Sequence, residues 1–243
     1  MEQAETKKST EHFQRFSLQF RIQHIVLFVS TTILIFTGIP LWCLSRPDFL
    51  VWNSECFQLL GGIRGISLIH RCAAAALVLL SAYHLLYTIF TKKGRREFID
   101  LLPAFKDIAD VTTNSLYFLG LTKKRPQFAR YSYIEKFDYW AVYWGCVIMI
   151  GSGLAMAFPS QCAKYCSWLT FDLAAEIHAG EAILATLSIL IWHFYNVHFN
   201  PSHFPGTLMW LHGRITKEQM IAEHPLEYEK MMLDQKADPA SSD

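Results

Sequence analysis

Residues 66–90 read ISLIHRCAAAALVLLSAYHLLYTIF, an apolar run that one arginine and two histidines interrupt. About 20 residues of helix cross the hydrocarbon core of a bilayer, so this run is long enough to span a membrane. A helix also satisfies its backbone hydrogen bonds within its own segment, which is the condition for lying in lipid. The run therefore predicts a transmembrane helix.

Three further windows have the same character, at residues 20–44, 139–158 and 173–199. The composition agrees, because 52% of the 243 residues are hydrophobic and the mean hydropathy is positive. The net charge is only +1, which gives no argument for nucleic acid as a partner. The predicted fold is all-α, an integral membrane four-helix bundle. Membrane lipid is therefore an expected partner.

The basic residues are distributed unevenly between these windows. Ten Lys and Arg lie in the connection 91–138, and four each lie in residues 1–23 and 199–243. Only two lie in residues 41–65 and one in residues 159–172. The positive-inside rule then predicts that both termini and the long connection are cytoplasmic, and that the two short connections lie outside.

The windows and this orientation divide the chain into three parts. They are a cytoplasmic N-terminal arm over residues 1–19, a four-span domain over residues 20–199 and a cytoplasmic tail over residues 200–243. The cytoplasmic connection 91–138 belongs to the four-span domain.

The six cysteines form no CxxC or CxxCH pattern, so neither a four-cysteine zinc site nor a covalently bound c-type haem is indicated. Four of them fall in the short connections predicted to lie outside: Cys43, Cys56, Cys162 and Cys166. An oxidising compartment could cross-link these four cysteines.

Six histidines lie within the predicted spans or at the inner end of the fourth: His24, His70, His84, His178, His193 and His198. Ionisable side chains at this depth are costly and indicate a function. His70 and His84 are fourteen residues apart, so they point within roughly 40° of one another, about 21 Å apart along a helix. His178 and His193 are fifteen apart, with roughly 60° of drift that modest bending can absorb.

The predicted orientation places these histidines at two depths. His70 and His178 are expected to meet near the outer face. The other four gather near the inner face: His24, His84, His193 and His198. Two levels, each with histidines from different helices, are what two stacked haems require, because an electron-transfer haem iron takes two strong axial nitrogen ligands. A zinc or iron–carboxylate site would need acidic residues at matching depth, and only Glu176 and Glu181 flank a histidine of the fourth span, near its outer end.

Arginines lie beside the histidines at both levels. Arg21 is close to His24, and Arg71 adjoins His70. Either guanidinium could pair with a haem propionate. Each could equally reach the membrane interface along its aliphatic stem.

Seven short motifs follow one another along the chain: Phe20-Arg-Ile-Gln-His24, Leu68-Ile-His70-Arg71, Tyr131-Ser-Tyr-Ile-Glu-Lys136, Glu176-Ile-His178-Ala-Gly180, Ile191-Trp-His193-Phe-Tyr195, Gly213-Arg-Ile-Thr216 and His224-Pro225. In this order they resemble the haem b membrane (gamma) subunit of respiratory formate dehydrogenases and its relatives in nickel-iron hydrogenases and thiosulfate reductases. The resemblance covers about residues 13–230.

The resemblance implies an outer haem b held by His70 and His178, and an inner haem b held by His24 and His193. Quinone, either menaquinone or ubiquinone, would react beside the inner haem. Such a subunit lies in the cytoplasmic (inner) membrane of a bacterium or archaeon. Its partners would be an extracytoplasmic iron-sulfur or multihaem cytochrome subunit and a catalytic subunit.

Two features depart from the family pattern. His84 is an additional histidine, and the ligand spacing in the last span is fifteen residues instead of fourteen. His84 with His193 is therefore a competing pair for the inner haem. A third haem held by His84 and His198 is another possibility. His84 could also hydrogen-bond a propionate or help to bind quinone.

Polar residues cluster where the fourth span ends at the predicted inner face: Asn196, His198, Asn200 and His203. Together with the resemblance, they suggest the quinone site.

The predicted function is that of a di-haem b-type cytochrome subunit that carries electrons across the bilayer, with quinone reduction or quinol oxidation at its inner haem. Two alternatives belong to other classes. One is a proton-coupled transporter whose intramembrane histidines relay protons, and the other is a membrane anchor without haem.

Overall fold

The computed structural model describes residues 11–44, 59–165, 167–200, 204 and 206–237. Within these residues the chain divides into two compact units. The unit that we call the histidine unit comprises, among the described residues, 22–44, 59–95, 140–165, 167–200, 204 and 206–207. The other, which we call the polar unit, comprises residues 11–21, 96–139 and 208–237.

Four helical segments are long and apolar enough to cross a membrane, which confirms the predicted all-α membrane bundle. We call them the first to fourth spans: Leu18–Leu44, Gly62–Phe90, Tyr133–Ala157 and Leu169–Phe199. Large apolar side chains such as Phe36 and Leu79 point outward, 73% and 71% exposed, whereas Ser30, Thr37 and Ser152 are buried. This distribution reverses that of a soluble protein and suits helices whose outer surface meets lipid.

The helices extend beyond the predicted windows. The second span begins at Gly62 instead of residue 66, and the third at Tyr133 instead of residue 139. The windows counted apolar residues, whereas helical hydrogen bonding continues through polar residues outside the lipid-compatible stretch. The third span ends at Ala157, one residue early, because Pro159 disfavours helical geometry in the residue before it.

The fourth span changes helix type along its length. It is α-helical over Trp168–Leu187 and π-helical over Ser188–His193 and Tyr195–Phe199. A π turn closes with a hydrogen bond from residue i+5 to residue i and so holds about one residue more than an α turn. The fifteen-residue spacing between His178 and His193 is therefore absorbed by π-helical turns and not by the bending expected from the sequence.

Hydrogen bonds at the end of the fourth span fit this wider helix. The backbone amide of Asn200 donates to the carbonyl of Tyr195, five residues earlier, at 2.8 Å. The side-chain amide of Asn196 donates to the carbonyl of Trp192 at 2.9 Å. Asn196 thus supplies a donor to a backbone carbonyl within the π-helical segment.

The polar unit contains a small antiparallel sheet, in which β1 (His12–Gln14) pairs with β2 (Arg214–Thr216). Six short helices lie outside the spans. Lys92–Asp100 and Phe105–Phe118 follow the second span, and Pro159–Cys162 follows the third. Met209–His212 lies between the fourth span and β2, and Lys217–Glu223 and Pro225–Ala237 follow β2. Gly213 ends Met209–His212 in the left-handed conformation, with φ of 76°. A glycine adopts this conformation without the steric cost that a Cβ would add.

The core of the polar unit is apolar. Met209, Ile215 and Met220 are buried, and Phe13 and Tyr228 pack against them. The N-terminal segment and the C-terminal region therefore share one hydrophobic cluster.

A buried ion-pair network joins three separate parts of the polar unit. The guanidinium of Arg15, only 1% exposed, contacts Glu227 at 2.6 Å and Glu135 at 3.2 Å. Arg130 contacts the other oxygen of Glu227 at 2.9 Å. This network links the N-terminal segment, the long connection and the C-terminal region.

Candidate functional site

His70 and His178 face one another inside the histidine unit. His70 is on the second span and His178 is on the fourth, and their ring centres lie 6.4 Å apart with 64° between the ring planes. The structure thus brings together the two histidines that the sequence predicted to meet at one level.

A hydroxyl on the first span orients His70. Thr37 Oγ1 lies 2.8 Å from His70 Nδ1 and 2.6 Å from the carbonyl oxygen of Ile33. Because the hydroxyl gives its only hydrogen to Ile33, it must accept a hydrogen from Nδ1. The proton of neutral His70 is therefore on Nδ1, and Nε2 keeps a lone pair that can bind a metal.

The same arrangement recurs around His178. Ser152 Oγ, on the third span, donates to the carbonyl of Ile148 at 2.7 Å and lies 2.9 Å from His178 Nδ1. The Nε2 of His178 is consequently also available as a ligand. A hydrogen bond that holds one ring nitrogen while the other binds metal is the usual support of a metal-binding histidine.

A glycine follows each of these hydroxyl residues and lies against the supported ring. A Cβ built on Gly38 would lie 3.5 Å from His70 Cε1, and one built on Gly153 would lie 3.3 Å from His178 Cε1. The hydroxyl–glycine pairs Thr37-Gly38 and Ser152-Gly153 thus occupy equivalent places beside the two rings. Thr37 and Ser152 were not among the predicted site residues, although the hydroxyl–glycine pattern occurs twice in the sequence.

The second group of histidines lies toward the other end of the same spans. His24 and His193 lie within electrostatic range of one another. His84 Nδ1 lies 2.8 Å from the side-chain oxygen of Gln23, the residue before His24. His24, His84 and His193 therefore belong to a second level. On the second span this level lies about 21 Å from His70, because fourteen residues separate His70 from His84.

The remaining polar residues predicted near this end have separate surroundings. His198 packs against the rings of Phe194 and Phe199, and Gly206 lies against its Nδ1. His203 lies outside the described residues.

The two arginines predicted to meet propionates differ in environment. Arg21 is half-buried and donates from Nη1 to the carbonyl of Leu211 at 2.6 Å. Its Nε is buried and has no hydrogen-bond partner among the described residues. A carboxylate could therefore still satisfy Arg21, whereas Arg71 is exposed on the second span.

Cysteines and acidic clusters add no further site within the described residues. Cys43 carries a free, buried thiol, and Cys56 and Cys166 lie outside the described residues, so the predicted cross-link remains a prediction. The described part of the chain holds no group of three or more His, Cys, Asp or Glu side chains arranged around a metal ion. Glu181 instead lies beside Gly145, whose Cβ would be 3.0 Å from a carboxylate oxygen.

The first histidine pair fits a haem iron. A metal ion held between the Nε2 atoms of two imidazoles, with bonds of about 2.1 Å, separates the ring centres by roughly 6.4 Å. The rings of His70 and His178 have this separation, and in the neutral rings a proton on Nδ1 leaves the lone pair of each Nε2 for a metal. Two oriented imidazoles that face one another within a bundle of apolar helices are typical of membrane cytochromes b, which bind haem b and transfer electrons.

Comparison with known proteins identifies the particular family. Residues 15–202 match the family model of prokaryotic cytochrome b561, so the chain belongs to that family. No curated protein matches the chain. The chain is therefore a multi-pass membrane protein that binds haem b and transfers electrons.

Proposed function

We propose that the chain is the di-haem b subunit of a respiratory oxidoreductase complex, in the inner membrane of a bacterium or archaeon. In this proposal His70 and His178 hold the outer haem, and His24 and His193 hold the inner one. The observation that carries it is the 6.4 Å separation of the His70 and His178 rings, each supported at Nδ1 by a hydroxyl.

When bound, haem b supplies one-electron chemistry between ferric and ferrous iron, with little rearrangement if both axial ligands are imidazoles. The residues of this chain orient those ligands. Thr37 and Ser152 keep the proton of each outer histidine on Nδ1, and Gly38 and Gly153 leave space beside the rings. The exposed apolar side chains keep this level within lipid and away from water.

The pairing of His24 with His193 at the inner level rests on two observations. These histidines lie within electrostatic range of one another, and they stand at the two ligand positions that the resemblance implies for the inner haem. The contact of His84 Nδ1 with the Gln23 side-chain oxygen leaves His84 Nε2 able to bind metal, so it does not exclude His84. His84 with His193 is the competing pair, and a third haem between His84 and His198 is the remaining alternative. Arg21, three residues before His24, offers its buried Nε to a propionate of the inner haem.

Quinone is proposed to react beside the inner haem, near the residues that end the fourth span. Asn196 and His198 lie there, and His84 could take part through its Nε2. Depending on the redox partner, the reaction is quinone reduction or quinol oxidation. The resemblance to gamma subunits supports an extracytoplasmic iron-sulfur or multihaem cytochrome subunit and a catalytic subunit as the partners.

Haem content measured on purified variants tests this proposal. Two haems b per chain are expected in the unmodified protein, and His70→Ala and His178→Ala should each lose one equivalent while retaining the inner haem. His12→Ala, in β1 of the polar unit, is the matched histidine control and should retain both. Unchanged haem stoichiometry in either His70→Ala or His178→Ala would refute the outer pairing.

An inhibitor experiment tests the quinone site separately. A quinone analogue added to the reduced protein should shift the absorption of the haem that survives in His70→Ala. A shift confined to the haem that survives in His24→Ala would place quinone at the other level.

A further inference from the structure

Helix Phe105–Phe118, in the connection between the second and third spans, turns a stripe of three polar side chains toward the protein: Asp107, Asp110 and Asn114. Asp107 accepts from Lys136 Nζ at 2.9 and 3.0 Å. The buried Asp110 pairs with Lys106, four residues earlier. The Asp107–Lys136 contact, and a hydrogen bond from Lys106 Nζ to the carbonyl of Gln127 at 2.7 Å, hold one face of the helix against the rest of the polar unit.

One more polar contact completes that inner face. Asn114 Nδ2 donates to the hydroxyl of Tyr133 at 2.7 Å. Asp107, Asp110 and Asn114 recur at intervals of three and four residues, so they form one stripe along the helix.

The opposite face is apolar and exposed. Phe105 is 93% exposed, and Ile108 and Leu119, the residue after the helix, are also largely exposed. Phe118 is 77% exposed but lies on the side of the polar stripe. A surface helix of a soluble domain ordinarily buries its apolar stripe and exposes its polar one. This helix has the reverse arrangement, which suits an apolar medium on its outer side.

The position of the helix along the chain identifies that medium. It begins fifteen residues after the second span ends at Phe90, and it ends fifteen residues before the third span begins at Tyr133. Both ends are therefore tethered to the bilayer by short segments. A helix tethered in this way, with a wide apolar face, is of the kind that lies in the plane of the membrane interface.

The basic residues that follow the helix indicate which kind of lipid headgroup it would meet. Lys123, Lys124 and Arg125 follow the helix within seven residues and are all exposed. Arg125 stacks on Tyr117, and its Nη2 donates to the Tyr117 hydroxyl at 2.6 Å, so the basic segment is attached to the helix itself. Clustered Lys and Arg near a membrane surface attract anionic phospholipids.

We propose that helix Phe105–Phe118 lies in the headgroup layer, with its apolar face among acyl chains and the segment Lys123–Arg125 on anionic phospholipid headgroups. This surface is separate from the histidine pairs. The proposal therefore stands or falls independently of the haem and quinone assignments.

Photocrosslinking of the full chain in lipid nanodiscs tests the apolar face. The photoreactive residue benzoylphenylalanine replaces Ile108 in one variant and Gln235 in a control, where an exposed polar position lies in helix Pro225–Ala237. Irradiation should attach phospholipid to the peptide containing position 108 and not to that containing position 235, as read by peptide mass. Adducts from position 108 to protein only, or equal lipid labelling at both positions, would overturn the proposal.

The headgroup preference is tested with the same labelled position. Adding phosphatidylglycerol to phosphatidylcholine nanodiscs should raise the lipid adduct about threefold. The double variant Lys123→Gln/Lys124→Gln should lose this increase, whereas Lys230→Gln/Lys236→Gln should keep it. Labelling that is indifferent to phosphatidylglycerol, or equally affected by both double variants, overturns the role of the basic segment.

Discussion

Thr37 and Ser152 determine which nitrogen of each outer histidine carries the proton. Both hydroxyls donate to a carbonyl four residues earlier in their own helix and therefore accept from the histidine. A side chain that only packed against the ring would not select the tautomer. With His70 and His178 as the proposed haem ligands, the two residues are expected to affect haem binding through the rings that they orient.

The variant Thr37→Val tests this role at nearly constant side-chain volume. Loss of such a supporting hydrogen bond typically weakens metal binding by about 10–100-fold. We expect the outer haem to dissociate more readily and its midpoint potential to shift, as measured by haem transfer to an acceptor protein and by redox titration.

Ser30→Ala is the matched control for Thr37→Val. Ser30 is also buried on the first span and donates to the carbonyl of Val26 at 2.7 Å, but this contact is within its own helix. Equal loss of haem in both variants would show that general packing, and not tautomer selection, explains the effect.

His24 and His84 compete for one role at the inner level. Because His24 lies near His193 and stands at the ligand position that the resemblance implies, His24→Ala should lose one haem equivalent. His84→Ala should retain both haems and at most shift the inner potential. Haem quantification together with redox titration distinguishes the two variants. The reverse pattern of losses would favour the arrangement in which two helices each supply two ligands.

At the scale of single elements, the π-helical part of the fourth span sets the direction of His193. Fifteen residues of regular α-helix would leave His193 roughly 60° from His178, whereas a π turn takes up about one residue. The π-helical segment Ser188–His193 therefore returns both histidines to a common face.

Changes of length test this geometry. Deleting Ile189 should convert the π turn to α-helix, leave the two histidines fourteen residues apart on one face, and retain two haems per chain. Inserting an alanine after Ala185, in the α-helical part, should rotate His193 by about 100° and remove the inner haem. Haem content measures both outcomes. A deletion that loses the haem while the insertion keeps it would contradict this account.

At the scale of the whole molecule, parts of the chain distant in sequence assemble the polar unit. Arg15, Glu135 and Glu227 come from three separate segments. The buried His224 joins two of them, because its Nδ1 lies 2.8 Å from the carbonyl of Ala129 and must donate to it. The motifs that carry the family resemblance outside the spans thus meet in this unit.

The stability of the polar unit is expected to depend on pH through His224. Burial, with a smaller effect from the positive charge of Arg15, lowers the pKa of His224. The unfolded chain therefore binds a proton at a higher pH than the folded one. The contribution of neutral His224 is complete above the unfolded pKa of about 6.5 and is lost as the pH falls toward the folded pKa.

Hydrogen exchange of the full chain in nanodiscs measures this dependence. Protection of residues 225–237, corrected for the intrinsic exchange rate, should fall between about pH 7.5 and about pH 5.5. His224→Asn can still donate to the Ala129 carbonyl but does not titrate near neutral pH, so the fall should be smaller. An identical fall in both proteins would exclude His224 as its cause.

The sequence by itself determined the four spans. It also determined that His70 and His84 lie at two depths on one side of the second span. Both are local properties, because hydrophobic length decides whether a helix crosses lipid and helical periodicity decides which face a side chain occupies. The meeting of His70 with His178 also followed, since four spans in the orientation predicted from the basic residues leave few ways to place these histidines at one depth. Assignment of the haem ligands stays a prediction.

Only the tertiary structure decided the features that depend on contacts between distant residues. Apolar periodicity cannot reveal that Thr37 supports His70, because the hydrogen bond joins two helices. The outward turn of helix Phe105–Phe118 likewise depends on Lys136 holding Asp107, and the polar unit depends on Arg15 reaching Glu227. Such polar contacts are directional and short-ranged, so they exist only once packing has brought their atoms together.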